Sequence, residues 1–284
     1  MSRVVYVNGE YVSEPEARIS VFDRGLQFAD SVYEVTTVLE GKLVDWQGHH
    51  KRLRRSLEEL SFEWECSEEF FLKIHKQLIF KNNLKEGIVY LQITRGIADR
   101  DFTFDKTIQP SIIAFSQQKK IIEPLLINKG LSVMTAADIR WQRPDIKTTQ
   151  LLGPSLLKMR ALSESMDDVW FVKDGFITEG TSNNAFIVNR AGTLITRDLS
   201  TDILGGITRF SILNLAKKKK VLVEERPFSV EEAYNASEAF ITSSSIFIRS
   251  VVKLDNNLIG RGSPGNFVKS LISEYLDYCK SDLT

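Results

Sequence analysis

Ser31-Val32-Tyr33-Glu34-Val35-Thr36-Thr37-Val38-Leu39 and Lys42-Leu43-Val44-Asp45-Trp46, separated by Glu40-Gly41, form the stretch from which the fold is read. β-branched and aromatic residues dominate both runs, and a two-residue spacer containing glycine suits a hairpin turn. Just downstream, Leu53, Leu57 and Leu60 recur at three- and four-residue steps, the period of a helix. Ser67 followed by Glu68, Glu69, Phe71, Ile74 and Leu78 predicts a second, capped amphipathic helix. Upstream, β-rich residues 3–7 and 10–12 flank Asn8-Gly9, the pair that most readily supplies the positive φ angles of a type I′ turn. Strand-like runs return at 88–95 and 111–116. Strand, strand, helix, helix, strand, strand describes an α+β layer with antiparallel pairing, not the strict alternation of a doubly wound parallel fold.

Lys119-Lys120-Ile121-Ile122-Glu123-Pro124 has no helical period and ends in proline, which suits a connector. The expected organisation is an N-terminal α+β domain over 1–118, a linker over 119–124 and a β-rich C-terminal domain over 125–284. Short strand signals follow at 131–137, 169–172, 176–178, 184–188, 193–196, 221–225, 239–242 and 246–252, with hairpin chemistry at Lys173-Asp174-Gly175. Helical signals at 154–165, 207–219, 229–234 and 264–280 lie among them, the third opened by a Ser229/Glu232 capping box. This pattern predicts a barrel or sandwich decorated with helices. The lysines at 217–220 read as the solvated end of a helix, where cations meet the negative end of the dipole.

The 284 residues suffice for two domains, and 43% apolar with 26% charged residues excludes collagen-like, low-complexity and wholly disordered classes. Thirty-seven basic residues balance 37 acidic ones, so no net basic field draws the chain to nucleic acid or anionic lipid. The apolar runs stay far below the roughly 20 residues that cross a bilayer, and Met1-Ser2-Arg3-Val4 opens no signal peptide, so the expected setting is the cytoplasm. Cys66 and Cys279 are far apart and lack metal or redox spacing, which predicts two reduced, partly buried thiols.

Among local features, Leu204-Gly205-Gly206-Ile207-Thr208-Arg209 leads into an apolar-periodic segment. Glycines before a helix start let backbone N–H groups converge on an anion, and a plain turn is the alternative reading. Thr242-Ser243-Ser244-Ser245 is a second cluster of hydroxyl donors, or a polar loop. Neither cluster carries a Walker lysine, and no nucleophile elbow, His-Glu-x-x-His helix or calcium loop occurs. His49 and His50 are neighbours that point to different faces of a helix, so with His75 they predict no metal site.

Asp23-Arg24-Gly25-Leu26-Gln27-Phe28-Ala29-Asp30-Ser31-Val32-Tyr33-Glu34-Val35 resembles the N-terminal signature of fold type IV pyridoxal phosphate enzymes, its Val-Tyr-Glu-Val ending that of the D-amino-acid transaminase branch. Further matches follow in order: Thr94-Arg95-Gly96, Asp138-Ile139-Arg140-Trp141 with Asp145-Ile146-Lys147, Thr178-Glu179-Gly180-Thr181-Ser182-Asn183-Asn184, and Gly206-Ile207-Thr208-Arg209. The resemblance spans nearly the whole chain. It implies a two-domain enzyme, with a small N-terminal α/β domain, a larger β-rich C-terminal domain and pyridoxal 5′-phosphate between them.

By position, Lys147 corresponds to the lysine that carries pyridoxal phosphate and moves the α-proton, and Glu179 to the carboxylate against the pyridine nitrogen. Arg52, Ile207, Thr208 and Ser244 correspond to the phosphate cup, Leu204 to a residue packed on the ring, and Arg140 to a neighbour of the cofactor face. D-amino-acid transaminases trap the substrate carboxylate with a tyrosine, here Tyr33, and an Arg-x-His pair from the neighbouring subunit. Here that pair reads Arg100-Asp101-Phe102: the arginine stays and phenylalanine replaces histidine. The resemblance therefore implies a homodimeric transaminase acting on D-alanine or D-glutamate and 2-oxo acids such as 2-oxoglutarate by a ping-pong mechanism. Phe102 leaves room for an R-selective amine transaminase. A branched-chain L-amino-acid transaminase, an aminodeoxychorismate lyase, or a cofactor-binding protein without turnover are the other readings.

Overall fold

The computed structural model describes residues 2–65, 67–281 and 284, and the expected thiol of Cys66 lies outside them. They group into two compact units: one holds the chain up to Ile121 with Ile146–Gln150 and the chain end, the other Ile122–Asp145 and Leu151–Ser281. No helix among the described residues is long and apolar enough to cross a membrane.

In the first unit β1 (Val4–Val7) and β2 (Glu10–Ser13) turn over Asn8 and Gly9, at φ 46° and 104°, the left-handed pair of a type I′ hairpin. A short helix, α1 (Arg24–Phe28), precedes β3 (Ser31–Leu39) and β4 (Lys42–Leu43), joined over Glu40 and Gly41. The expected strand 42–46 is cut short. Asp45 takes a left-handed φ of 54°, and Trp46 enters α2 (Trp46–Glu59), its buried indole edge-on to His75 at 4.7 Å. Next comes α3 (Glu68–Lys81), capped as expected by Ser67, whose side chain accepts from Phe70 N. The strands β5 (Gly87–Thr94) and β6 (Ser111–Gln118) complete an antiparallel sheet in the order β2-β1-β6-β5-β3-β4.

Alternation along these strands separates two faces. Val32, Val38, Val89, Leu91, Ile93 and Ala114 are buried toward the helices, which supply Leu53, Leu57, Phe71, Ile74 and Leu78. Each such large side chain contributes about 1.5–3 kcal/mol by leaving water. The opposite face carries a stack of Tyr33, Tyr90 and Phe115, with ring centroids 5.6 and 4.8 Å apart. Where β4 does not reach, Ile146–Gln150 lies along β3: Tyr33 N donates to Lys147 O at 2.9 Å, and Val32 bridges Thr148.

The second unit opens with α4 (Pro124–Lys129), proline at its first turn, followed by β7 (Leu131–Ala137) and α5 (Leu152–Ser163). The order continues β8 (Asp168–Lys173), β9 (Phe176–Gly180), β10 (Asn184–Val188), β11 (Leu194–Thr196), α6 (Ile207–Lys218), β12 (Val223–Glu225) and β13 (Phe228–Ser229). Then come α7 (Val230–Tyr234), β14 (Glu238–Ser243), β15 (Phe247–Leu254), β16 (Asn257–Leu258) and α8 (Asn266–Ser281), where Cys279 is buried. The strands form one sheet ordered β12-β11-β10-β14-β15-β7-β8-β9-β13, with β16 against β15. Ile187 and Ile195 from one end of that order share a core with Trp170, Ile177 and Phe228 from the other, so the sheet curls around a common interior. The capping box at Ser229 and Glu232 forms, and the lysines at 217–220 are exposed, Lys217 and Lys218 in the last turn of α6 and Lys219 at its C-cap.

Candidate active site

In the first unit Lys147 is half-buried, and its Nζ stands 4.2 Å from the centroid of the Tyr33 ring. The backbone holds it there. Lys147 O accepts from Tyr33 N, Lys147 N donates to Ser56 Oγ at 3.4 Å, and Ser31 and Thr149 hydroxyls meet at 2.5 Å. The contact with the aromatic face steadies the head of the side chain.

Next to Tyr33 on β3, Glu34 points to the opposite face and takes a fork from Arg52: Nε at 2.8 Å and Nη2 at 2.7 Å. His49 Nδ1 bonds the same carboxylate at 2.7 Å. Burial pushes the Glu34 carboxyl up, and the Arg52 and His49 contacts outweigh it, holding it well below the usual carboxylate range. The guanidinium of Arg52 is thus oriented by a buried anion. His50, on another face of α2, approaches Glu68 at 4.0 Å.

In the second unit Glu179 lies one residue before the end of β9, and its carboxylate is buried among donors. Oε1 accepts from Arg140 Nη1 and from Leu204 N at 3.1 Å, and Oε2 accepts from Asn184 Nδ2 at 2.9 Å. Three of about four lone-pair positions are taken, leaving one acceptor position. Burial raises the Glu179 carboxyl to about 6, against the pull of Arg140 and the Leu204 amide. Arg140 is held in turn by Asp138, through Nε at 2.9 Å and Nη2 at 2.6 Å, and its plane lies over Phe171. Thr178 Oγ1 donates to Asp138 at 2.9 Å, closing the network.

Asn184 links this network to the start of α6: its Nδ2 also donates to Leu204 O at 2.8 Å, and its Oδ1 occupies the space a Cβ on Gly206 would need. Gly206 is the N-cap of α6 and offers no side chain, so no side chain caps the helix. Beside it, Thr242 pairs across the sheet with Asn184, and the buried hydroxyls of Thr242 and Ser243 have no hydrogen-bond partner. Uncapped amides of Ile207 and Thr208 beside orphaned hydroxyls fit an oxyanion such as a phosphate. Ser244, named from sequence, is half-buried at the end of the same run.

Arg100 is exposed, its guanidinium 5.4 Å over the Phe28 ring and 6.0 Å over Phe102, which is itself 81% exposed. The roles of His49, Asp138, Asn184 and Thr242 are not legible in the sequence. Within each unit the fold groups the named residues: Tyr33, Arg52 and Lys147 on and beside β3, and Arg140, Glu179, Leu204, Ile207 and Thr208 around Asn184 and α6.

The family profile for amino-transferase class IV matches residues 31–254. The D-alanine aminotransferase of Staphylococcus aureus is 33% identical over 278 residues, covering 98% of both chains, and that of Bacillus licheniformis is 34% identical over 267 residues, covering 94% of both. Among solved structures, the T.th. branched-chain amino acid aminotransferase complexed with N-(5′-phosphopyridoxyl)-L-glutamate superposes with a TM-score of 0.91 at 22% identity, covering 100% of this chain and 98% of that one.

Proposed function

The chain belongs to the amino-transferase class IV family, pyridoxal-phosphate-dependent transaminases of fold type IV, and from that premise we propose that its amino donors are D-amino acids. D-Alanine and D-glutamate are the donors, 2-oxo acids such as 2-oxoglutarate the acceptors, and the enzyme works as a homodimer by a ping-pong cycle. The match to D-alanine aminotransferases over 98% of the chain supports this choice of substrate, whereas the branched-chain likeness, at 22% identity, speaks to the fold alone.

Pyridoxal phosphate, when bound, supplies a sink for the electron pair left as the substrate's α-proton departs. The residues present fit it. Arg52, the amides of Ile207 and Thr208 and the hydroxyl run around Ser244 would hold the phosphate, and the orphaned hydroxyls of Thr242 and Ser243 are the observation that favours an anion there. Leu204 would pack on the ring, and Glu179 has an acceptor position left for a protonated ring nitrogen. Arg140 keeps that carboxylate in place. The Lys147 amine would take the α-proton and return it on the other side of the transfer, the work of a positioned general base and acid. Tyr33 and Arg100 of the partner subunit would hold the substrate carboxylate.

Phe102 favours a second reading, an R-selective amine transaminase, because a carboxylate-free donor needs no histidine at that position. A half-reaction screen with single enantiomers separates the two: bleaching of the bound cofactor by D-alanine and D-glutamate, much faster than by (R)-1-phenylethylamine and not by L-amino acids, is expected. Reaction with the amine alone overturns the D-amino-acid reading.

A further inference from the structure

Asp30 gathers two buried arginines that the chemistry above does not use. Arg24 and Arg95 each donate Nε to its Oδ2, at 2.9 and 2.8 Å. Arg95 Nη2 donates to Leu60 O at 2.7 Å, while Arg24 Nη1 donates to the carbonyls of Asp101 at 2.6 Å and Thr103 at 3.4 Å. The Phe104 ring lies against both guanidiniums, 5.1 Å from Arg24 and 3.9 Å from Arg95.

The other end of Arg24 is fixed. Its N donates to Gly96 O at 2.9 Å, and the preceding Asp23 accepts from Gly25 N and from Thr94 Oγ1 at the end of β5. The backbone of 101–103 therefore hangs on a side chain that is itself anchored to the sheet. Arg100 rests on the Phe28 ring, the same ring that Arg24 covers at 4.5 Å. Asp101 closes the turn from outside, its Oδ1 accepting from Thr103 N and Oγ1 at 2.8 Å each. Arg24, Arg95 and Phe104 line a cleft of about 370 Å³ that continues to Thr148 and Gln150, in the segment that carries Lys147.

We propose that Arg24 is a positioning residue for substrate selection: by holding the carbonyls of Asp101 and Thr103 it sets the direction of Arg100, and so the engagement of the substrate carboxylate. This rests on the reading that Arg100 binds that carboxylate. A planar fork serves an acid and two carbonyls at fixed angles, whereas a lysine keeps the charge and loses the geometry.

The test uses the holoenzyme with Arg24→Lys, Asp101→Ala and Arg100→Ala. Arg24→Lys is expected to raise the KM for D-alanine about tenfold with kcat within about twofold, and to leave the KM for a carboxylate-free amine unchanged. Amide hydrogen exchange should quicken in residues 97–108 and nowhere else. Asp101→Ala, on the surface, should move both readouts the same way by less, and it decides between the outcomes if Arg24→Lys does not fold. Equal losses with both donors, or unchanged exchange in 97–108, alongside a selective KM rise in Arg100→Ala, would show that Arg24 merely supports the fold. An Arg100→Ala enzyme with an unchanged D-alanine KM removes the carboxylate reading and this proposal with it.

Discussion

At the scale of single residues each unit carries one group central to the proposed chemistry. Lys147 offers an amine over an aromatic face with backbone contacts fixing its position, and Glu179 offers a buried carboxylate with one acceptor position left. Replacing Lys147 by alanine should cut kcat by about 10²–10⁴, the range that a positioned general base contributes, if the amine over Tyr33 has the proposed role of carrying the proton. Borohydride reduction and peptide mapping give an independent check: the pyridoxyl group belongs on the peptide containing Lys147, and its recovery on another lysine would remove the assignment. Glu179→Gln keeps the shape and most hydrogen bonds but not the charge that a protonated ring nitrogen requires. It should slow the half-reaction by roughly 10²–10³ while cofactor affinity changes far less. Half-reaction rates equal to those of the parent enzyme would show that the carboxylate faces something else.

At the scale of elements, α2 and α3 carry a titration that stability measurements can read. Burial lowers His75 from 6.5 to about 4, against the pull of the Phe71 carbonyl that its Nδ1 bonds at 2.8 Å. The unfolded chain therefore binds a proton that the folded one refuses, and stability present above pH 6.5 is lost as pH falls toward 4, by about 3 kcal/mol for a shift of this size. Glu179 works with the opposite sign: raised from 4.5 to about 6, it favours folding below pH 4.5 and loses about 2 kcal/mol as pH rises through 6. Comparing urea midpoints of the parent and His75→Leu from pH 7 to 4 isolates the first effect, and parallel curves would refute it. The same elements show what a sequence discloses. Asn8-Gly9, Glu40-Gly41 and Asp174-Gly175 are legible as turns because positive φ is a local demand, met at all six residues. The strand that stops at Leu43 is not legible, since Trp46 joins a helix through packing on His75, 29 positions away in sequence. α1 is equally silent, a single turn held by Thr94 and Gly96 rather than by periodicity. In the candidate site, Lys147 stands out through family resemblance alone, because what places it is pairing with β3. The chain of contacts from Asp138 through Arg140, Glu179 and Asn184 to Leu204 joins residues that only the folded sheet brings together.

For the molecule as a whole, α5 argues for a second copy. Pro154 and Ala161 are buried on one side, with Leu157 packed against the core formed by Met134, Val169 and Phe171. On the other side Leu152, Leu156, Met159 and Leu162 expose 72, 59, 62 and 52% of their surface, and Ile139, beside Gly153, exposes 57%. A helix apolar on both sides is normally covered on both, and an apolar patch of this kind marks a protein contact more often than bare surface. Two copies related by a twofold axis would cover it with the same patch from each chain, the simplest closed arrangement. Such a dimer is also what the proposed substrate site requires, because Arg100 is to act on the substrate of the neighbouring subunit. Size-exclusion chromatography with light scattering should therefore find twice the 32.3 kDa of the chain, and Leu156→Asp with Met159→Asp should shift it to the monomer. If the dimer completes the site, that monomer should keep its circular dichroism spectrum while its kcat/KM for D-alanine falls by about 10² or more, the loss expected when a desolvated arginine–carboxylate contact disappears. A double variant that stays dimeric would place the interface elsewhere, and a monomer with full D-alanine kinetics would place the carboxylate site within one chain.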